Sequence, residues 1–243
     1  MSTPKANSKA NSRERILARL RAAAGESEPG AGPVVPSAFA DGEPRNDAEW
    51  LARQPPIEDL AERFAAEQAS TGGEVRRVRG WEGLPGAVAP WLAEREVTSV
   101  ITGAEPRLEP LREALAADGR FTLHRYDRAP GGDPGEAQRK EVFSVDCGIT
   151  TTWAGIAETG SAVIVPTPAE PRLLSLAVPL HLAVVEASTL LPRLTDFIAS
   201  GRYQAEVPTN LVLVSGASRT ADIEMTLALG VHGPKTLLVA LIE

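Results

Sequence analysis

The sequence contains few of the residues and motifs that metal, redox and nucleotide sites require. Among its 243 residues Cys147 is the single cysteine, so the chain cannot form an internal disulfide and cannot hold an iron–sulfur cluster alone. Its three histidines lie far from Cys147 and from one another, without CxxC or HExxH spacing, and we expect no metal site. No GxGxxG, GxxxxGKS or GxxxxGKT motif occurs, so we expect no nucleotide and no other bound cofactor.

Long apolar runs are absent as well. No stretch approaches the roughly 20 residues that cross a bilayer as a helix, so we predict no membrane span. Residues 1–15 are polar and lack the apolar centre of a signal peptide, and the expected location is the cytoplasm. The formal net charge of -7 argues against nucleic acid or an anionic membrane surface as the main partner.

What the chain does contain is typical of one folded domain with an extension. Hydrophobic residues make up 43% and charged residues 23%, which are ordinary values for a globular protein. We predict a tail, a helix at Arg13–Ala24 and a Gly/Pro-rich linker within residues 1–47, followed by a single domain at residues 48–243. The helix either docks on its own domain or reaches a partner or second subunit, and the sequence leaves both alternatives open.

Segments with strand and helix patterns alternate along residues 48–243. The predicted helices are Ile57–Ala69, Gly86–Arg95, Pro106–Ala117, Leu190–Ala199 and Arg219–Leu229. The predicted strands are Glu74–Val78, Val97–Ile101, Phe121–Tyr126, Val142–Ile149, Ala162–Val165, His181–Val185, Leu211–Val214 and Thr236–Ile242. This alternation predicts an α/β fold with a largely parallel sheet flanked by helices. We expect Leu211–Val214 to be buried on both faces, because it is a continuous apolar run.

One candidate site opens the predicted helix that follows the strand Leu211–Val214. Small and hydroxyl residues there allow a sharp turn and offer donors at a helix N-terminus, and Arg219 adds a fixed positive charge. The candidate ligand-binding residues, which suit a small phosphate or carboxylate, are Ser215, Gly216, Ser218, Arg219, Thr220 and Asp222. Asp222 either orients Arg219 or only complements the helix dipole. An ordinary capped loop is the alternative for the whole segment.

A second candidate site is the segment Ala157–Ser161, which directly precedes the strand Ala162–Val165. Gly160 between two hydroxyl residues makes a tight turn, and such turns expose N–H groups toward an anion. Thr159, Gly160 and Ser161 are the candidate ligand-binding residues of this turn. Glu158 is a candidate base, nucleophile or ligand-binding group. A β-turn with a capping hydroxyl is the structural alternative.

The third candidate is His232, in the Gly/Pro turn Val231–Lys235, where a histidine suits an acid or base role. His124 and His181 lie in strand-like surroundings and are interpreted as structural, and Cys147 as a small buried residue. We predict that the Glu158–Ser161 turn, the Ser215–Thr220 loop and the His232 turn converge at the ends of strands.

Two long motifs, in the right order, resemble the signatures of the lactate utilisation protein C family, the LUD domain. Ser215–Glu224, followed by Leu229–Lys235, is similar to one signature, and Ile156–Ser161 is similar to the other. Pro179–Val185 looks like the strand between them, so that the resemblance covers about the last hundred residues. Ala217 departs from the pattern, which has a proline there, and this changes the stiffness of the loop more than its chemistry.

This resemblance implies a fold similar to the group of glucosamine-6-phosphate deaminase, ribose-5-phosphate isomerase and the CoA-transferases (NagB/RpiA/CoA-transferase-like). It also implies work in the oxidation of L-lactate to pyruvate, beside partner proteins that carry iron–sulfur clusters. Since one cysteine cannot hold such a cluster, an accessory role fits this chain. The alternatives are an independent enzyme that acts on a phosphorylated or CoA-linked metabolite, and a binding module without chemistry.

Overall fold

The computed structural model describes residues 53–126, 136–201, 208, 210–221, 227–229 and 233–243. The strands in these residues are β1 Glu74–Val78, β2 Ser99–Thr102, β3 Thr122–Arg125, β4 Cys147–Thr151, β5 Ala154–Ile156, β6 Ser161–Ile164, β7 Leu180–Glu186, β8 Leu190–Leu191, β9 Val212–Val214, β10 Arg219–Ala221, β11 Leu227–Leu229 and β12 Thr236–Ile242. The helices are α1 Leu60–Ser70, α2 Leu84–Glu94, α3 Glu109–Asp118, α4 Glu136–Val142, α5 Leu173–Leu176 and α6 Leu194–Ala199.

Six of these strands form a wholly parallel sheet in the order β1-β12-β7-β4-β2-β3. Helices pack against both faces, so the predicted α/β fold with a largely parallel sheet is confirmed. Strand β12 comes last of the six along the chain, yet it lies between β1 and β7. The bounds predicted for β1 and β12 match the structure. The predicted similarity to the fold of the isomerase and CoA-transferase group stays a prediction.

Strands β12 and β7 are mostly apolar because each face of the sheet has its own core. Along β12, Leu238 packs in the same cluster as Trp91 of α2, while the next residue, Val239, packs in the cluster of Phe64 from α1. Successive strand residues point to opposite faces, so a strand covered on both sides has apolar residues at nearly every position. Hydrogen bonds also join neighbouring strands of this sheet at their amino-terminal ends. Asp146, just before β4, accepts hydrogen bonds from Thr98 and Ser99 at the start of β2.

A second, smaller sheet has the order β8-β5-β6-β9 and contains antiparallel pairs on both sides of β6. Its edge strand β9 corrects the expectation for Leu211–Val214. This strand is not buried on both faces of the parallel sheet, since it is only half-buried and Leu213 is 39% exposed. A short apolar run does not distinguish a central strand from an edge strand, because the number of neighbouring strands is set by the rest of the fold.

The prediction of a helix at Arg219–Leu229 is wrong. Arg219–Ala221 and Leu227–Leu229 are antiparallel strands, in which Arg219 pairs with Leu229 and Ala221 with Leu227. The apolar residues of this segment recur at helical spacing, but a helix would also need its ends to lie more than ten ångströms apart, while strand pairing brings them together. The pairing of the two strands here outweighs the helical spacing of the apolar residues.

Two further predicted elements have different bounds. Val142 ends α4 and β4 begins only at Cys147, so the strand predicted at Val142–Ile149 is wrong in its first half. The predicted helix Leu190–Ala199 splits into β8 and α6, which begins at Leu194. Pro192 lies between the two elements, and proline has no backbone N–H to continue a pattern of hydrogen bonds.

The predicted helix Arg13–Ala24 and the domain boundary at residue 47 lie outside the described residues and stay predictions. The same holds for Asp222 and His232. Within the residues described, no helix is both long enough and apolar enough to cross a membrane.

Candidate functional site

The turn before β6 is fastened to helix α1. Ala157–Thr159 form one turn of 3-10 helix, and Gly160 ends it with φ 61° and ψ 21°, in the left-handed region. A Cβ atom at Gly160 would lie 2.7 Å from the backbone nitrogen of Gln68, so the close approach requires glycine. The buried side chain of Gln68 donates a hydrogen bond to the carbonyl of Gly160. The turn therefore has a fixed position above the end of α1.

A chain of three hydroxyl groups joins this turn to the segment after β9. The Oγ1 atom of Thr159 lies 2.7 Å from Oγ of Ser161, which in turn lies 2.6 Å from Oγ of Ser215. Ser161 is buried, whereas Thr159 and Ser215 are exposed at the two ends of the chain. Two of the candidate segments predicted from the sequence are thus in direct contact, and we call these three side chains the hydroxyl chain.

The third predicted segment approaches the same loop through backbone contacts. The N–H of Ser218 donates to the carbonyl of Pro234 at 2.9 Å, in the turn that leads into β12. Gly216 lies against Thr71 at the end of α1, where a Cβ atom would come within 2.7 Å of the Thr71 side chain. The described part of the Pro234 turn therefore contacts the Ser215–Thr220 loop, at the amino-terminal end of β12.

The other predicted site residues have different surroundings. Arg219 and Thr220 begin strand β10, so the helix N-terminus expected to attract an anion does not exist there. Glu158 is exposed and its Oε1 atom lies 3.7 Å from Nε of the mostly buried Arg193. Its backbone N–H donates to the carbonyl of Pro192. A catalytic role for Glu158 stays a prediction.

The structure also contains a cleft that sequence reasoning missed. Its volume is about 390 Å³, and it lies beyond the carboxyl ends of β2 and β4. Its lining includes Glu105, Arg107, Thr151, Trp153, Pro168 and Glu170. Ligands of open parallel sheets bind in crevices at this edge, so Glu105, shortly after β2, and Thr152, directly after β4, were a signal that could have found it. We call it the strand-end cleft.

Glu170 is the buried acid of the strand-end cleft. Its Oε1 atom accepts a hydrogen bond of 2.9 Å from the backbone N–H of Thr151, and its Oε2 atom accepts one from the Thr151 hydroxyl. Burial raises the pKa of Glu170, which the two hydrogen bonds from Thr151 only partly oppose. A carboxyl group with a raised pKa in a cleft is typical of a functional site.

Two other reactive residue types are structural in this fold, as the sequence predicted. Burial lowers the pKa of His181 to about 3, so the ring stays neutral, with Nε2 2.9 Å from the hydroxyl of Thr150. Burial, with a smaller contribution from Asp146, raises the pKa of the Cys147 thiol well above its usual range. Among the described residues, no three side chains of the metal-ligating types are grouped so that they could hold a metal ion.

The parallel sheet with helices on both faces defines an α/β domain, and comparison with known proteins identifies its family. The LUD domain matches residues 61–242, which is more than half of the chain, and the chain therefore belongs to the LUD domain family. An uncharacterised protein of Neisseria meningitidis serogroup B is 31% identical over 183 residues, covering 70% of this chain and 78% of that protein.

Two further comparisons extend this assignment. Lactate utilization protein C of an Exiguobacterium species is 33% identical over 135 residues, which cover 54% of this chain but only 58% of that relative. The crystal structure of a DUF162 family protein from Deinococcus radiodurans matches with a TM-score of 0.56 and 21% identity, over 77% of this chain and all of that one. The structural match supports the fold alone.

Proposed function

We propose that this chain is an accessory protein or subunit of an L-lactate utilisation system, in which L-lactate is oxidised to pyruvate. The observation that carries the proposal is the similarity to proteins named lactate utilization protein C, such as the relative that is 33% identical over 135 residues. Matching over the LUD domain at residues 61–242 supports the same assignment. The proposed location is the cytoplasm.

The proposed partners are iron–sulfur cluster proteins of the same system. Oxidation of lactate needs an electron acceptor, and the single cysteine of this chain is too few for a cluster. That cysteine is also fully buried within β4, where its raised pKa keeps it a thiol. The redox groups of the proposed system therefore lie on its partners.

The proposed ligand of this chain is a small carboxylate or phosphate at the hydroxyl chain. Thr159 and Ser215 present exposed hydroxyl groups on the two sides of buried Ser161, and hydroxyl groups can donate hydrogen bonds to an anion. Arg219, four residues beyond Ser215, is the cation that the sequence offers to such a ligand.

A growth experiment tests the proposed system. We expect a strain in which the gene is deleted to grow poorly with L-lactate as the carbon source and normally with pyruvate, and the intact gene to restore growth. Tagged protein from lactate-grown cells, crosslinked before capture, should carry down proteins that contain iron and acid-labile sulfide. Normal growth of the deletion strain on L-lactate would contradict the proposal.

An independent enzyme that acts on a phosphorylated or CoA-linked metabolite is the second candidate. The observation that favours it is the contact between Ser161 and Ser215, which brings two hydroxyl-bearing segments together in an α/β fold. Glu158 and His232 are then the proposed acid/base groups. Phosphate should raise the melting temperature of the wild-type protein by mass action, and the absence of any such shift removes the main support for this candidate.

A further inference from the structure

The strand-end cleft has the position and size of a small-molecule site, and nothing in the proposed function uses it. Its volume of about 390 Å³ lies within the range of ligand pockets. It opens at the edge where the carboxyl ends of β2 and β4 meet, and a loop that contains Pro166, Thr167, Pro168 and Glu170 covers one side. This cleft shares no lining residue with the hydroxyl chain of Thr159, Ser161 and Ser215.

The loop that carries Glu170 is held rigidly in place. Its Thr167 exchanges two hydrogen bonds of 3.0 Å with Glu170, one from its backbone N–H and one to its hydroxyl. The loop also accepts a hydrogen bond of 2.8 Å from Ala104, through the carbonyl of Ala169. A Cβ atom at Gly103 would lie 2.1 Å from that carbonyl oxygen, so only glycine allows the loop to approach this closely. The carboxyl group of Glu170 is thus positioned before any ligand arrives.

The charges around the cleft favour a ligand that donates hydrogen bonds over an anion. Arg107 is the cation of the lining, but its Nε atom already lies 2.7 Å from Glu105, and its Nη1 atom lies 2.6 Å from Glu186. With ionised Glu170, three carboxylates therefore surround one guanidinium. An incoming anion would meet this excess of negative charge, whereas an amine or hydroxyl group finds acceptors.

One wall of the cleft is apolar. Trp153 contributes its ring, and Val165, Pro166 and Pro168 add aliphatic surface. The Trp153 ring makes an edge contact with Phe197, with ring centroids 6.0 Å apart, which fixes its orientation. A flat apolar group can pack on such a wall, and a cationic group beside an aromatic ring gains further attraction.

We propose that the strand-end cleft binds a small molecule that combines a flat apolar face with an amine donor, with Glu170 as the acceptor and Trp153 as the packing wall. Hydroxyl compounds of the same shape bind more weakly, because they lack the positive charge. Anions of the same shape are excluded. The proposal concerns a different part of the fold from the proposed lactate function and does not depend on it.

Three matched probes test this preference with the full chain: benzylamine, benzyl alcohol and benzoate. They share one ring and differ in the charge of the attached group. We expect saturation-transfer NMR to give affinities in the order benzylamine, benzyl alcohol, benzoate, with at least about a tenfold difference between the first and the last. Benzoate binding as tightly as benzylamine, or no binding by benzylamine, overturns the proposal.

The variant Glu170→Gln tests whether Glu170 causes the preference for the amine. Glu170→Gln keeps the shape of the side chain but loses the charge, so benzylamine should bind this variant no better than benzyl alcohol. Glu113→Gln, on an exposed side chain of α3 outside the cleft, is the matched control and should keep the wild-type order. If Glu170→Gln keeps the amine preference, the proposal is wrong.

A measurement on the wild type does not depend on any variant folding. The affinity for benzylamine, which stays protonated in acid, should increase as the pH rises and Glu170 ionises, while the affinity for benzyl alcohol changes less. Equal pH profiles for the two probes contradict the role of Glu170.

Discussion

The hydroxyl oxygens of Ser161 and Ser215 lie 2.6 Å apart, although 54 residues separate them along the chain. The contact follows from the strand register, since Ala162 pairs with Val214 and the next pair outward is Ser161 with Ser215. It brings together two segments that resemble the two signatures of the family. The antiparallel pairing of β6 and β9 therefore builds the candidate site, and the parallel sheet only supports it.

We expect the Ser161–Ser215 contact to be energetically coupled. Each single change, Ser161→Ala and Ser215→Ala, should lower the free energy of unfolding, and Ser161→Ala by more because it is buried and also loses Thr159. A double-mutant cycle by urea unfolding should give a coupling of about 0.5–1 kcal/mol. Additive effects of the two changes would mean that the two hydroxyl groups do not interact in solution.

Gly160→Ala should destabilise the domain by at least about 2 kcal/mol, because alanine is strained at φ 61° and its methyl group would meet the backbone of Gln68. The measurement is the free energy of unfolding in urea. Gly86→Ala is the matched control, since Gly86 lies within α2 and a Cβ atom there has open space. It should stabilise the protein by about 0.5–1 kcal/mol, as alanine in a helix does. Equal effects of the two changes would contradict the tight approach at Gly160.

His181 should make stability fall in acid. Burial lowers its pKa from 6.5 to about 3, so between these values the unfolded chain binds a proton that the folded chain does not. The free energy of unfolding should therefore fall by up to about 1.4 kcal/mol per unit as the pH decreases through this range, with no further fall from this group below about 3. His181→Gln should flatten the profile, and unfolding curves between pH 4 and 7 measure the difference. Identical slopes would show that the ring is accessible to protons.

Glu170→Gln should be at least as stable as the wild type at neutral pH. Because burial raises the pKa of Glu170, its contribution to stability is complete below the pKa of the unfolded chain and is lost as the pH rises through the folded value. Glutamine removes this loss and still accepts from the N–H of Thr151. Unfolding at pH 4 and pH 7 should show a relative gain for the variant only at the higher pH. A variant clearly weaker at pH 7 would mean that the carboxylate itself holds the loop.

The elements that sequence reasoning found are those whose environment is uniform along the segment. Leu237–Ile242 is apolar at every position because both faces of its strand are buried, and the sequence shows that directly. The helix prediction for Arg219–Leu229 was wrong because spacing within one segment does not reveal that its two ends pair with each other. The prediction that Leu211–Val214 is buried on both faces was wrong for a related reason. The neighbours of an edge strand belong to other parts of the chain.

The candidate sites show the same division. Gly160 was found because glycine between hydroxyl residues is a local signal for a turn. Glu170 was missed because its role comes from distant residues: Gly103 allows the loop to close, and Thr151 binds the carboxyl group. No short motif around Glu170 records these contacts, although polar residues after β2 and β4 mark the right edge of the sheet.

The position of β12 has a consequence for biosynthesis. During translation, β1 leaves the ribosome long before Thr236 is made, and within the parallel sheet its one neighbour is β12. Until then β1 has no partner in that sheet, and β7 is paired on one side only. Exposed strand edges of this kind favour aggregation and are protected by chaperones in the cell. The nascent chain should therefore remain a chaperone substrate until β12 is available.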